Sequence, residues 1–461
     1  MTVVPPPVSD RRRVPVPPRR GADPEIVVPL AVVCGAIIVL TWCVRGLVVT
    51  PPLTHAARLG AGARLTGITA AYLSAVQVLL VGRLPWIERS VSGQVMRLWH
   101  GWGGGAVLLL SMVHAGFAMA AQAALARRSF LGAALAMIVH FRFVAPALVG
   151  LVLMMAAAVT SIRSLRQRLG YVRWYLVHVG TYLAVPLAFL HELLGADFSA
   201  TGARIVWSAL FMGAGATVFW FRVVVPVRVT RRHQPRVAAV VDEAPDVVSV
   251  RIVGRDLEAL GALPGQYLRW RVLAPRSWWR ARPFSLSAEA GDGLRFTAKV
   301  TGALGAELRS LTPGTRIAIE GPYGAFTEQL RTRRRVLLLA GGVGVTPLRA
   351  LMERLVGYVG PAEAEVTLIY RADRESDLIF TAELAELSRR GDAPVHYLLG
   401  PRGDSGRPDP LAPQALAELV PRLPDHDVFV CGPPGMVAVA RTSLLAAGVP
   451  PSQIHTETFA G

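Results

Sequence analysis

Six stretches of this chain, 26–48, 65–84, 101–122, 138–160, 172–194 and 204–227, are long and apolar enough to cross a bilayer, which takes roughly 20 residues. In hydrocarbon only a helix or a closed barrel satisfies its own backbone polar groups, and continuous runs of this length predict helices. The pattern stops near residue 228. Beyond it, short alternating runs are broken by Gly, Pro and charges. The 461 residues, 52% of them hydrophobic, therefore divide into a tail (1–25), a membrane half (26–228) and a soluble half. The tail, "MTVVPPPVSDRRRVPVPPRR", is rich in proline and arginine and reads as disordered. It does not read as a cleavable signal peptide, because the apolar core that follows comes too late and is too long.

The net charge of +18 is almost all arginine, with Lys299 the single lysine. The arginines cluster at the ends of apolar segments, and no basic helix with interleaved aromatics occurs, so the expected partner is a lipid bilayer and not nucleic acid. The tail, "GRLPWIERSVSGQVMR", "SIRSLRQRLGYVR" and "VRVTRRHQPR" are richer in arginine than the loops at 49–64, 123–137 and 195–203. By the positive-inside rule this predicts a multi-pass protein of the cell membrane with both termini and the soluble half cytoplasmic. Cys34, Cys43 and Cys431 offer no disulfide framework, zinc spacing or four-cysteine iron–sulfur set.

Ionisable residues inside a membrane are costly and usually functional. His100 and His114 fall on the third expected span, His178 and His191 on the fifth. The two spans run in the same direction, and each pair is separated by roughly 20 Å along its helix. His100 thus matches His178 in depth, and His114 matches His191, the geometry of bis-histidine haem ligation done twice. Fourteen residues return His114 to the face of His100. Thirteen put His191 well over 90° from His178 in an ideal helix, and a kink at Pro186 would alter that phase. The small residues of "HGWGGGA" and Ala184 would leave room for flat rings. The alternative for a membrane histidine is a helix–helix hydrogen bond or a proton relay. His55, in an outer loop, and His140, at the outer end of the fourth span, read as structural.

From about residue 235 the period is two. "RVAAVVDE", "VVSVRIV", "GQYLRWRVL", "PFSLSA", "LRFTAKV" and "TRIAIEG" predict a small antiparallel β-barrel over 234–330. In "RPFSLSA", Arg282 can pair with a pyrophosphate and Ser285 can hydrogen-bond the edge of a flat cofactor. Over 331–461 strands alternate with helices, predicting an α/β doubly wound parallel sheet. In "RVLLLAGGVGVTPLRALMERLV", Gly341, Gly342 and Gly344 let the backbone approach a phosphate, while Thr346 and Pro347 open a helix whose N-terminus attracts it. "CGPPGM" ends a second strand at the same sheet edge.

"PGQY", "RPFS", "GPYG", "GGVGVTP" and "CGPPGM", in this order behind two histidine pairs, resemble a ferredoxin–NADP reductase-type flavoprotein fused to a ferric reductase-like transmembrane domain. Ferric-chelate reductases and NADPH oxidases have this arrangement. The resemblance implies a six-helix transmembrane bundle holding two haem b groups, then an FAD-binding barrel and an NAD(P)-binding domain. It implies that Arg282 grips the FAD pyrophosphate, with Pro283, Phe284 and Ser285 at the flavin. Lys299, Val300 and Gly302 would hold the remaining phosphate region, and Tyr323 and Gly324 would close the barrel. Gly342, Gly344 and Thr346 would face the NAD(P)H phosphates. Cys431, Gly432 and Pro433 would border the nicotinamide, and Phe459 resembles the aromatic that stacks on the flavin. Ser285, Cys431 and Phe459 are thus the expected catalytic set. Two departures stand out. Gly305 and Ala306 replace the usual Ser or Thr of the second FAD motif, and Ala118 stands where dedicated superoxide-producing oxidases have another histidine.

Arg371 and Arg374 in "IYRADRES" follow a strand where an adenosine 2′-phosphate could lie, favouring NADPH over NADH; a surface salt-bridge cluster with Asp373 and Glu375 is the alternative. NAD(P)H delivers two electrons and haem takes one, so FAD must stand between them. The expected output is an external small-molecule or metal-ion acceptor such as ferric iron. Rival readings are a haem reductase feeding quinone or a periplasmic protein, an oxygen-reducing oxidase, a haem- or nucleotide-sensing membrane protein, and a transporter with histidine proton relays.

Overall fold

A computed structural model describes residues 32, 33, 35, 54–88, 91, 93–194, 201–274, 280–291, 293–300, 302–357, 364–400 and 409–459. The tail, all but three positions of the first expected span, Cys34 and Cys43 lie outside the described residues. The chain separates into two compact units, one within Ala22–Ile87 and Gly93–Val224, the other within Glu88–Ser92 and Val225–Gly461.

In the first unit α1 (His55–Leu80) is capped by Thr54, whose hydroxyl accepts from the Ala57 amide. His55 is therefore the first residue of a helix and not part of a loop. Next come α2 (Gly93–Ala126), α3 (Phe130–His140), α4 (Val144–Ser161), α5 (Tyr171–Val179), α6 (Thr181–Leu194) and α7 (Thr201–Phe219). The expected loop at 123–137 contains most of α3, capped by Ser129, and His140 ends that helix ahead of the next span. Among the described residues five helices are long and apolar enough to cross a membrane. Their polarity pattern is reversed relative to a water-soluble protein. Leu109, Leu148 and Met212 face outward, while Ala61, Ala157 and Ala184 are buried, as expected where lipid replaces water and small residues let helices approach. Ala184 does not leave space for a ring. A Cβ on Gly150 of α4 would stand 3.0 Å from its carbonyl oxygen.

The fifth expected span is interrupted, but not at Pro186, which lies inside α6. The break is at Gly180, whose amide is shared between the carbonyls of Leu176 and Val177. Gly180 itself stays in the right-handed helical region, at φ −56° and ψ −23°. After α7 the chain takes a π-helical turn, Trp220–Val224.

The second unit begins with α8 (Val225–His233). Strands β1 (Arg236–Ala244), β2 (Val247–Val253), β3 (Tyr267–Val272), β4 (Arg282–Ser285), β5 (Gly293–Lys299) and β6 (Ile317–Tyr323) follow, with α9 (Gly302–Arg309) before β6. They form two three-stranded antiparallel sheets, ordered β1-β2-β5 and β4-β3-β6. The expected barrel is thus two open sheets, touching through single bridges at Leu286↔Phe296 and Arg236↔Arg316. The four-residue β4 contains Pro283, which has no amide proton to extend a ladder. Ile252, Leu268, Trp270, Phe296 and Ile319 fill the space between the sheets.

The rest is a parallel sheet: β7 (Arg335–Gly341), α10 (Val345–Val356), β8 (Glu365–Ala372), α11 (Thr381–Gly391), β9 (Val395–Leu399), α12 (Pro413–Leu419), β10 (His426–Gly432), α13 (Pro434–Ala446) and β11 (Ile454–Thr458). Strand order is β11-β10-β7-β8-β9. Leu338 and Ala340 face one core, Leu337 and Leu339 the other. Burial on both faces is why "VLLLA" is continuously apolar, as in covered parallel sheets.

Candidate functional site

Helices α2 and α5–α6 bring the four membrane histidines together in two pairs. The ring centroids of His100 and His178 are 5.9 Å apart with planes at 69°, and those of His114 and His191 are 6.4 Å apart at 65°. An imidazole–metal bond of about 2.0–2.1 Å on each side, plus about 1.1 Å from nitrogen to ring centre, gives about 6.3 Å between two imidazoles that would share one metal. Both pairs fit that spacing. Among the described residues no cluster of three or more His, Cys, Asp or Glu could hold a metal. A metal at either pair would thus need its remaining ligands from elsewhere, as a haem macrocycle supplies. His178 and His191 both face α2 despite their thirteen-residue spacing.

The pairs are steadied differently. His114 Nδ1 lies 2.7 Å from the Ala63 carbonyl oxygen of α1, and a Cβ at Gly67 would stand 2.6 Å from that nitrogen. A carbonyl can only accept, so Nδ1 donates a proton to it and Nε2 is the nitrogen left to face a metal. Nδ1 of His100 and of His178 is buried with no hydrogen-bond partner. The His178 ring instead stacks on Trp174 at 5.2 Å, the Trp174 indole donates to Ser161 Oγ at 3.0 Å, and Arg166 covers the indole at 4.5 Å. Neither Ala63 nor Trp174 was legible as a site residue, since one acts through its backbone and the other through packing.

On the antiparallel sheets, Ser285 is buried at the end of β4 and Pro283 is exposed. Arg282 pairs with Glu307 of α9 at 3.0 Å and stays a quarter exposed. Phe284 packs on Trp270 with centroids 5.1 Å apart, and Tyr323 on Tyr267 at 5.8 Å. Lys299 points outward and bonds Asp246 at 2.9 Å, which raises its pKa. The neighbouring Val300 is buried in the core. Gly302 is the first residue of α9, and a Cβ at Gly305 would meet Val300 at 2.8 Å. Gly324 has a φ of +100°, and its carbonyl accepts from the Gln266 amide at 3.1 Å.

The nucleotide-type residues converge at the carboxyl ends of β7 and β10, where the strand order reverses. Open α/β sheets bind ligands at that switch point. Cβ atoms on Gly341 and Gly344 would strike Met436 Sδ at 2.0 Å and the Cys431 carbonyl at 2.2 Å. Gly342, at φ +53°, has open space above it. Thr346 and Pro347 are buried in the first turn of α10, and Thr346 donates to the Val343 carbonyl at 2.9 Å. Pro433 is the exposed cap of α13. The Phe459 amide donates to the Gly432 carbonyl at 3.3 Å. The Cys431 thiol is wholly buried, and burial, with Glu457 nearby, pushes its pKa well up, so it stays protonated. Arg371 pairs in register with Gly341 and lies 3.7 Å from Asp409 with little exposure, while Arg374 is exposed. Burial pushes the Tyr370 phenol beside them up to about 12.

Residues 66–189 match the family model of the ferric reductase like transmembrane component, and 338–442 that of the oxidoreductase NAD-binding domain. Ferredoxin–NADP reductase B of Sorangium cellulosum is 31% identical over 39% of this chain and 78% of its own. The chain belongs to the ferric reductase-like membrane proteins with a ferredoxin–NADP reductase-type module. The ferredoxin reductase component of 3-ketosteroid-9-alpha-monooxygenase from Mycobacterium tuberculosis is 34% identical over 42% of this chain and 54% of its own. The chain thus spans about half the length of that relative. Among solved structures, the FAD/NAD-binding domain of nitric oxide dioxygenase from Vibrio cholerae is 27% identical, with 50% of this chain and all of that one covered at a TM-score of 0.42.

Proposed function

We propose that this protein is an NAD(P)H-dependent membrane flavocytochrome that delivers electrons from the cytoplasmic side to an acceptor on the other, with ferric iron the leading candidate. The observation that carries the reading is the two facing histidine pairs on α2 and α5–α6, in a chain whose sheet ends at 341–346 and 431–433 are shaped for a dinucleotide. His100 with His178, and His114 with His191, would each hold a haem b. Arg282, Phe284 and Ser285 would hold FAD, helped by Tyr323, Gly324, Val300 and Gly302. Gly341, Gly342, Gly344 and Thr346 would receive the nicotinamide nucleotide, with Cys431, Gly432, Pro433 and Phe459 at its reactive end.

When bound, FAD supplies the exchange between a hydride and single electrons, and haem supplies one-electron relay. The chain's own part is to hold these groups in place. The Ala63 carbonyl keeps the proton of His114 on Nδ1 and directs Nε2 inward. The Trp174 face, stacked on the His178 ring, steadies that ring's orientation without fixing its tautomer. Tight glycine packing holds the ends of β7 and β10 together, so that a nucleotide bound there meets a rigid floor. Arg374, exposed at the end of β8, favours a 2′-phosphate and hence NADPH. The arginine-rich segments favour placing the termini and the module in the cytoplasm.

The test is an anaerobic visible spectrum of the detergent-purified protein before and after NADPH. Sharp low-spin bands growing at about two haems per FAD are expected. Flavin bleaching without a haem signal would leave a membrane-tethered flavin reductase.

A further inference from the structure

The antiparallel sheets and the nucleotide-type domain meet at a buried ionic knot whose members are absent from the expected cofactor contacts. Arg295 of β5 makes two hydrogen bonds to the Glu383 carboxylate of α11, at 2.7 and 2.9 Å, and its guanidinium lies 4.6 Å from the Phe380 ring centre. Arg349 of α10 reaches the same carboxylate at 2.8 Å and Glu353 at 2.6 Å. Both arginines also donate to one backbone oxygen, that of Ser287, at 2.7 and 3.3 Å. Their side chains are 9% and 8% exposed. A second tie runs alongside. The Glu289 amide donates to Glu353 at 2.8 Å, and Arg354 pairs with Glu289 at 2.6 Å.

The placement of these groups matters more than their number. Ser287 follows Ser285 by two positions, and its hydroxyl is fixed by Thr297 at 2.7 Å, which in turn meets Ser249 at 2.6 Å. Arg349 follows Thr346 by three positions on the helix that opens at the glycine turn. The knot therefore joins the strand expected at the flavin to the helix expected at the nucleotide phosphates. Burying two guanidinium groups is costly, and an apolar contact would hold the domains together at least as well. What a bidentate fork adds is direction, because it sets an angle as well as a distance. Burial works to raise the Glu383 pKa, yet the Arg295 bond and the charges of Arg349 and Arg295 outweigh it and hold the carboxyl below its ordinary range. The ionised form is thus the one the knot selects. Hydride transfer rewards such precision, since a misplacement of about 1 Å can cost about a hundredfold in rate.

We propose that Glu383 is a positioning residue for hydride transfer: gripped by Arg295 and Arg349, it sets the angle at which the nucleotide domain presents the nicotinamide to the flavin. The inference rests on the reading of this half as an FAD- and NAD(P)H-binding module.

The test uses the full-length protein in detergent with FAD bound. Anaerobic single-turnover mixing with NADPH reads the rate of flavin bleaching. Equilibrium binding of adenosine 2′,5′-bisphosphate, which has no nicotinamide, reads nucleotide docking alone. E383Q and R295K, the second keeping its charge but losing the fork, are each expected to slow bleaching at least tenfold. FAD content and bisphosphate affinity should stay at wild-type values. Wild-type bleaching rates in both variants overturn the proposal. So does a loss of FAD and bisphosphate binding in step with rate, the mark of a merely structural contact. A wild-type protein that binds FAD but is not bleached by NADPH overturns the module's reading and the knot's role with it.

Discussion

The Nδ1 atom of His114 sits 2.7 Å from the carbonyl oxygen of Ala63, and the missing side chain of Gly67 makes that approach possible. One helix thereby sets the tautomer and the orientation of a histidine on the next. Backbone carbonyls are common second partners for metal-bound imidazoles, and losing them weakens the site.

Replacing Gly67 with alanine puts a methyl 2.6 Å from the imidazole nitrogen and should displace the ring. If each histidine pair holds a haem as proposed, only the His114/His191 site is affected and bound haem should fall by about half. A pyridine haemochrome assay against protein mass measures this. Unchanged haem content would mean that the Ala63 bond does not hold a ligand.

Gly344→Ala attacks the other end of the chain. The new Cβ would meet the Cys431 carbonyl oxygen at 2.2 Å and Gly432 Cα at 2.8 Å, and backbone cannot rotate away as a side chain can. Overpacking of this kind typically costs about 1–3 kcal/mol. A lower urea midpoint and weaker NADPH binding are expected together, read by fluorescence and equilibrium dialysis.

Asp427 gives the soluble half a defined acid response. Burial tends to raise its pKa, but the His455 side chain and the amides of Thr332 and Arg333 outweigh burial and hold it low. A carboxyl whose folded pKa lies below its unfolded value stabilises above the unfolded pKa, about 3.9 for aspartate. That contribution is lost as pH falls through the folded value. Stability should therefore drop as pH is lowered below about 4. Asp427→Ala should lose stability at neutral pH, by about 1–3 kcal/mol for the unmet amides, and respond less to acid. Urea midpoints across pH 3–7 decide it.

Arg374 should govern the choice of nucleotide. It is exposed at the end of β8, while Arg371 is drawn toward Asp409. A charge-assisted bond to a phosphate is worth about 1.5–3 kcal/mol. Arg374→Gln should therefore weaken NADPH at least tenfold and leave NADH nearly unchanged. Equal losses for both nucleotides would assign the residue to structure.

Much of this was legible because the signals are local. "VLLLA" is apolar at every position, since both faces of β7 are covered. The turn glycines announce themselves because no other residue fits where Gly344 meets Cys431. Other features left no local trace. The "GLRFTAK" strand reads as alternating with Arg295 outward, yet Leu294, Arg295, Phe296 and Thr297 are all buried, because a second domain covers the outer face. Alternation predicts a barrel because it reveals faces, but it does not say which strand edges pair, and among the described residues the two sheets meet through single bridges. Pro186 predicts a kink, but the interruption falls at Gly180, whose amide is shared between two carbonyls.

The amino-acid order by itself determined the division into apolar helices and a strand-rich half, the matched depth of four histidines, and the glycine turns at two strand ends. Each follows from a periodicity or a residue type that acts over a few neighbouring positions. Only the tertiary structure decided that His114 borrows a proton acceptor from Ala63, that His178 leans on Trp174, and that Arg295, Arg349 and Glu383 converge on Ser287. The Ala63–His114 contact and the convergence of Arg295 and Arg349 on Glu383 join residues tens of positions apart, while Trp174 and His178, four apart on one helix, meet through a ring stacking that spacing alone does not name.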